Sequence, residues 1–334
     1  MRKRISALVH LIVMGWLLGA GIASAAPHKV RLAVGGQGLF YYLPLTLTQS
    51  LGYFRDAGLD VQIADFPGGA KALQALMGGS AEVVAGSFEH VVTMRARGQA
   101  LTAFSLIARY PAIVLAVHKD FTTYRGPADL AGHVVGLTAP GSSTHLFLNN
   151  LLHGAGVAAT AVPVLGVGAG ASAVAALRHG DIDALVHLDP VIEELVSAGD
   201  VRVVVDTRTP EGAAVVYGGT YLAACLYSTE AYIKANPAII EALATAQARA
   251  LRWAAAASDE EIMNAVPAAQ WQRDREAWRR ALARNRAIWS PDGRLDPEGA
   301  RHVLATLSRF ERQVAEARID PTELLLEPTQ QAGK

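Results

Sequence analysis

The chain has 334 residues, of which 51% are hydrophobic and only 18% charged, with 30 basic and 30 acidic side chains. That length and apolar content supply cores for two domains and exclude a disordered chain, while the balanced charge disfavours nucleic acid as a partner. A single cysteine, Cys225, excludes an intramolecular disulfide framework and leaves stability to packing.

Arg2-Lys3-Arg4, a mostly apolar run over residues 5–22 and then Ala23-Ser24-Ala25 read as a secretory signal peptide over residues 1–25, cleaved near Ala25/Ala26. Its three cations leave 27 basic against 30 acidic residues, so the mature chain is mildly acidic. No later run is long and apolar enough to span a bilayer, and no cysteine follows the signal to carry a lipid. The expected location is the periplasm, as a freely diffusing monomer.

Strands are expected over residues 30–34 and 59–63, with a helix from Pro44 to Leu51 between them. The turn Phe66-Pro67-Gly68-Gly69 then leads into a helix over 70–77 and a buried strand over 83–85. An apolar strand over 113–117 closes the first lobe. In the second lobe, expected over 119–220, strands fall at 134–137, 184–187 and 201–205, with helices over 143–153 and up to Arg178. Strands and helices alternating at this spacing favour parallel sheets with right-handed crossovers. From about Tyr221 the chain returns to the first lobe, which is therefore expected to comprise 26–118 and 221–334, and Cys225 reads as a small apolar core residue of that returning strand. Asn236-Pro237 opens a helix through Ile240, Leu243, Ala244, Ala250 and Leu251, with asparagine capping. Trp278, Leu282 and Trp289 mark the apolar stripe of a later helix. Around it Arg273, Arg275, Arg279, Arg280, Arg284 and Arg286 read as a solvated face.

The two lobes repeat each other. Adding 101 to the numbers of Leu73-Gln74-Ala75-Leu76-Met77-Gly78-Gly79-Ser80-Ala81-Glu82-Val83-Val84 gives Val174-Ala175-Ala176-Leu177-Arg178-His179-Gly180-Asp181-Ile182-Asp183-Ala184-Leu185, which keeps leucine, glycine and acid in step. The same shift carries Val34-Gly35 to Val135-Gly136 without a gap. Two similar α/β lobes in one chain face each other across a cleft, and a cleft implies ligand capture.

In open α/β sheets ligands bind beyond the carboxyl ends of the strands, where loops and helix N-termini converge. Gln37, Phe40 and Tyr41 follow the first strand, and the two aromatic rings are candidate pocket walls. Gly68 and Gly69 let backbone approach a ligand closely. Ser142, Ser143 and Thr144 place three hydroxyls at a helix N-terminus, where free N–H groups and the helix dipole attract anions, although one hydroxyl would also serve as an ordinary cap. Ser87, Glu89 and His90 in the first lobe, with His187 and Asp189 in the second, are the remaining candidates. The acids would orient histidines or accept a ligand N–H, and Asp189 has capping of the next helix as a rival role.

These residues resemble a family. Leu51-Gly52-Tyr53-Phe54 with Gly58-Leu59-Asp60-Val61, the Gly68-Gly69 turn, Asp129-Leu130-Ala131-Gly132 before Val134-Val135-Gly136, Gly141-Ser142-Ser143-Thr144-His145 and Gly180-Asp181-Ile182-Asp183-Ala184 look like the substrate-binding proteins of ABC importers for nitrate, sulfonates and taurine, a group that includes thiamine-pyrimidine-binding relatives. The resemblance covers about residues 30–250 and rests on the order and spacing of these segments. It implies a two-lobed periplasmic binding fold of type II, each lobe a mostly parallel sheet flanked by helices, with hinges near 117–121 and 206–221. It implies also a small-molecule ligand, a membrane permease as partner and ligand contacts on the segments just named. One departure matters: His187-Leu188 precedes Asp189-Pro190 where sulfonate binders of this family often carry an aromatic residue, so their substrate does not transfer directly.

The expected activity is capture by cleft closure of a small organic anion such as a sulfonate or carboxylate, or nitrate, and the alternative is an amine-bearing pyrimidine held by Glu89 and Asp189. No covalent chemistry, cofactor or metal is expected. Gly170-Ala171-Ser172-Ala173-Val174 is not a nucleophile elbow, Gly166, Gly168 and Gly170 lack dinucleotide-loop spacing, and His145, His153, His179 and His187 are scattered.

Overall fold

The computed structural model describes residues 26–271 and 274–326, so the expected signal peptide and Arg273 lie outside the described residues. Ten strands run in chain order: β1 His28–Val34, β2 Leu59–Asp65, β3 Val83–Ser87, β4 Leu101–Ala108, β5 Val114–His118, β6 Val135–Leu137, β7 Val164–Gly166, β8 Ala184–His187, β9 Val201–Asp206 and β10 Ala224–Thr229. They form two five-stranded sheets of identical plan, β2-β1-β3-β10-β4 and β7-β6-β8-β5-β9. In each, the fourth strand runs antiparallel to its neighbours; β10 returns to the first sheet from beyond the second lobe, whereas β5 opens the consecutive run β5–β9 that builds the second.

The placement of β5 moves the expected boundary. β5 was assigned to the first lobe by the expected span 26–118, but it pairs with β8 and β9 in the second sheet, so the first crossover is at residues 109–113 and not at 117–121. A five-residue apolar strand carries no local mark of the sheet that will accept it. Its alternating faces serve two cores, with Leu115 and Val117 packed in the large shared cluster and Val114 and Ala116 in a second cluster with Val174, Leu177, Ile182 and Ile192. The return crossover spans residues 207–223.

The repeat is real but not gapless. Val83 and Ala184 keep the offset of 101, yet Leu32 pairs with Val83 while Val135 pairs with Ala184, so β1 answers β6 at an offset of 103. A slip of two leaves every strand side chain on its own face, which is how the ungapped resemblance survives it.

The helices that position the site are α1 Leu43–Ser50, α2 Gly69–Met77, α3 Phe88–Ala96, α4 Ser143–Gly154, α5 Ala171–Arg178, α6 Val191–Ser197 and α7 Pro210–Tyr217. β4 and α3 carry no local signal in the sequence. β4 is buried along its whole length and shows no alternation to betray it, and α3 starts directly on the last residue of β3. Six α-helices follow among the described residues, and three of them, α8 Pro237–Ala256, α9 Arg275–Asn285 and α10 Pro297–Leu307, pack against the first lobe. Asn236 starts α8 without a capping side-chain bond, because its amide donates to the Tyr232 carbonyl instead. Trp278 and Leu282 lie on the buried face of α9, but Trp289 lies beyond its end and bridges Ala108 of β4. No helix among the described residues is long and apolar enough to cross a membrane.

Candidate ligand-binding cleft

The carboxyl ends of the parallel strands face one another, and the loops that leave them meet. The Phe40 N–H donates to the Asp189 carbonyl (3.1 Å), the Ala70 N–H to Ser142 Oγ (3.0 Å), and His90 Nε2 to the Gly141 carbonyl (3.2 Å). All three bonds join one lobe to the other, so the cleft is closed. Glycine makes the approach possible. A Cβ on Gly35 would lie 2.2 Å from the Gly69 nitrogen, one on Gly36 2.5 Å from Ala169 Cβ, and one on Gly68 3.0 Å from Ala139 Cβ. Gly68 and Gly69 thus admit the backbone of both lobes at one point.

Two helix N-termini meet there. Ser142 occupies the N-cap position of α4, yet its hydroxyl makes no bond to its own helix and instead accepts from the first turn of α2 across the cleft. Ordinary capping is therefore not its role in this conformation. Thr144 is buried and turns its hydroxyl back to Thr138 Oγ1 (2.9 Å), whereas Ser143 is half-buried at the first position of α4. The first N–H groups of both helices lack intrahelical acceptors, and both dipoles present their positive ends to the junction. Gly141 is held from two sides, its N–H donating to His145 Nδ1 (3.0 Å) and its carbonyl accepting from His90. Burial lowers the pKa of both histidines, that of His90 to about 4, so each is neutral and carries its proton on Nε2 near neutral pH.

Behind the junction the first lobe holds a buried acid. Glu89 is 3% exposed, and its carboxyl accepts from Tyr221 Oη (2.7 Å) and Ser87 Oγ (2.8 Å). Burial pushes its pKa up to about 7 against the opposing pull of those two hydroxyls. Tyr217 stacks on Tyr221 with ring centroids 4.0 Å apart, and its own buried hydroxyl has no partner among the described residues. Tyr41 is buried beside this group, and its hydroxyl is pushed well above the ordinary tyrosine range by burial, with Tyr42 and Glu89 adding to the effect. The site wall is thus a carboxyl ringed by phenols.

The remaining candidates are spent on structure here. Asp189 is fully buried; it accepts from the Glu193 N–H at the start of α6 (2.9 Å), from Arg208 Nη1 (3.0 Å) and from Asn285 Nδ2 (2.6 Å). His187 is also fully buried and bonds the Gly168 carbonyl through Nε2 (2.9 Å), with burial lowering its pKa. The Gln37 N–H is held by Asp65 Oδ1 (2.8 Å), while its side-chain amide reaches Gln49 on α1 (3.4 Å). Phe40 is packed rather than presented, its ring 4.7 Å from Trp278 and its carbonyl accepting from Trp289 Nε1 (2.9 Å). The structure brings Tyr41, Gly68, Gly69, Ser87, Glu89, His90 and Ser142 together around the junction. It also adds Tyr217, Tyr221, Arg208 and Asn285, for which the sequence offered no local pattern, since each reaches its partner only through the return crossover or α9. A hollow of about 620 Å³ lined by Lys119, Tyr124, Arg125 and Arg202 lies apart, at the β9 edge of the second lobe.

A family described as NMT1/THI5 like matches residues 40–261. A solved protein of Bordetella bronchiseptica RB50 is 44% identical, with 91% of this chain and 95% of that one covered and a TM-score of 0.87. The alkanesulfonate-binding protein SsuA of Xanthomonas axonopodis pv. citri, solved with MOPS bound, is 20% identical over 91% of this chain and 99% of its own, with a TM-score of 0.69. The periplasmic nitrate-binding protein NrtA of Synechocystis PCC 6803 is 14% identical over 89% of this chain and 85% of its own, with a TM-score of 0.68. No curated protein matches the chain. Two mixed sheets of one plan, flanked by helices around a cleft, are the periplasmic binding protein fold.

Proposed function

Because the chain belongs to the NMT1/THI5-like family, we propose that it is the periplasmic solute-binding component of an ABC importer, capturing a small organic anion by closing its lobes and delivering it to an inner-membrane permease. One observation carries the anion: the Ala70 N–H of α2 bonds across the cleft to the hydroxyl of Ser142, the residue at the N-terminus of α4 in the opposite lobe. A sulfonate, carboxylate or nitrate oxygen placed at that junction accepts from the Ala70 N–H of one lobe and from the Ser142 O–H of the other at once. Such a ligand binds the closed form better than the open one, and that difference drives closure. Binding needs no covalent step, so the protein acts as a carrier and not as an enzyme, and it works as a monomer.

Glu89 favours a second reading. A carboxyl with a pKa near 7, ringed by Tyr41, Tyr217 and Tyr221, suits an amine-bearing pyrimidine, whose N–H groups it would accept. Asp189, the other acid expected to serve that ligand, has both oxygens engaged. Thermal melts of the mature protein with alkanesulfonates, small carboxylates, nitrate and aminopyrimidines separate the readings, since a ligand at 100 times its Kd stabilises by about 2.7 kcal/mol. A shift with an anion, lost on replacing Ser142, supports the first. A shift with aminopyrimidines alone, lost on replacing Glu89, replaces it with the second, and hydrolysis of an ester or amide without any shift overturns both.

A further inference from the structure

Helix α9 belongs to the first lobe by its anchors. Arg286, next to its end, donates to the carbonyls of Ala254 and Ala257 at the end of α8 (2.8 and 2.6 Å), and the chain beyond bonds the edge of the first sheet, with the Ser290 N–H on the Ile107 carbonyl (2.9 Å). Trp278 on its inner face packs against Phe40. Yet its polar side holds the second lobe. Arg280 Nε and Nη2 reach Glu193 Oε1 and Ser197 Oγ on α6, both at 2.8 Å, Arg284 takes the other Glu193 oxygen, and Asn285 holds Asp189. The Glu193 side chain is 3% exposed, while the two arginine side chains are about half exposed at 46% and 47%.

We infer that α9 is a latch across the cleft and that Glu193, which touches no group at the ligand junction, is a positioning residue that sets how readily the lobes close. The inference rests on the reading of this protein as one whose cleft opens and closes. Separating the lobes breaks the Phe40–Asp189 bond and draws α6 away from a helix fixed to the other lobe. The carboxylate of Glu193 then loses both guanidiniums, so the closed form carries an attraction that is independent of any solute. A protein that is partly closed before ligand arrives binds with an apparent affinity scaled by that closed fraction. Removing the latch therefore weakens binding without altering a single ligand contact.

The test reads closure with no ligand present, and so stands apart from whether the solute is an anion. Cys225 is fully buried, so fluorophores attached through Gln74→Cys on α2 and Ala175→Cys on α5, both exposed positions, report the distance between lobes. Glu193→Gln, and separately Arg280→Gln with Arg284→Gln, are expected to lower the closed-to-open ratio about tenfold, because a hydrogen-bonded charge pair is replaced by neutral or solvated partners. Raising salt from low to about 1 M shortens the screening length to about 3 Å. It is expected to open the wild type in the same direction and to leave Glu193→Gln unmoved. The double arginine variant keeps Glu193 and its Ser197 bond, so it carries the test if Glu193→Gln fails to fold. Unchanged distance distributions in a folded variant and across the salt range would make α9 a fixed part of the hinge and overturn the inference.

Discussion

Replacing Asp189 with alanine separates a ligand contact from a structural acid. The wild-type carboxylate is fully buried and accepts from a backbone N–H, a guanidinium and an amide, at 2.9, 3.0 and 2.6 Å. Alanine leaves the Glu193 N–H without its acceptor and removes one of two carboxylates from Arg208, which is itself only 6% exposed, while the Asn285 amide keeps only the Ala281 carbonyl. Breaking a buried ion pair from one side costs about 3–5 kcal/mol. At about 2–4 °C per kcal/mol for a chain of this size, the melting temperature should fall by about 10 °C. Differential scanning calorimetry on ligand-free protein measures it. A variant that melts within about 2 °C of wild type while losing ligand binding would show that Asp189 serves the solute, and the structural reasoning would fail.

The acid and base of the first lobe titrate in opposite senses. Glu89, raised from 4.5 to about 7, is penalised in the fold as pH rises through that window; His90, lowered from 6.5 to about 4, costs stability as pH falls through its own. Each contributes about 3 kcal/mol and they offset each other. Stability should thus be nearly flat between pH 4.5 and 7, whereas Glu89→Gln should lose stability on acidification and His90→Gln should gain it, as denaturant melts at pH 5 and 7 will read. If both variants keep the wild-type profile, neither group is buried as described. Ser142→Ala should weaken anion binding about tenfold by calorimetric titration with little loss of melting temperature, since one hydrogen bond across the cleft is at stake. Gly35→Ala drives a methyl to within 2.2 Å of the Gly69 backbone and should destabilise by about 2–3 kcal/mol while displacing the start of α2. Wild-type stability in that variant would mean the loop has room it does not show.

What was legible in the sequence was local or periodic. The alternation of Leu59–Asp65, the glycine after each repeated helix and the hydroxyl cluster at 142–144 all announced their elements, because a strand pleat, a left-handed helix exit and a helix start each demand particular residues. What escaped depends on distant partners. Nothing within Val114–His118 says that it will pair with β8 and β9, and Leu101–Ala108, buried throughout, lacks the alternation that marks a half-exposed strand. Arg280 and Arg284 of α9 read as solvated because their acid, Glu193, lies 87 and 91 residues away. Phe40 read as a pocket wall for want of any sign that Trp278 would cover it.

The late arrival of β10 carries a consequence for biosynthesis. As the polypeptide is made from its amino end, β3 and β4 cannot be bridged until Ala224–Thr229 has been polymerised, well over a hundred residues after β4 itself. The first sheet is left with a vacant lane until then, whereas all five strands of the second sheet, β5 to β9, lie within residues 114–206 and are made earlier. The second lobe is therefore free to assemble on the ribosome while the first still waits for its fourth strand.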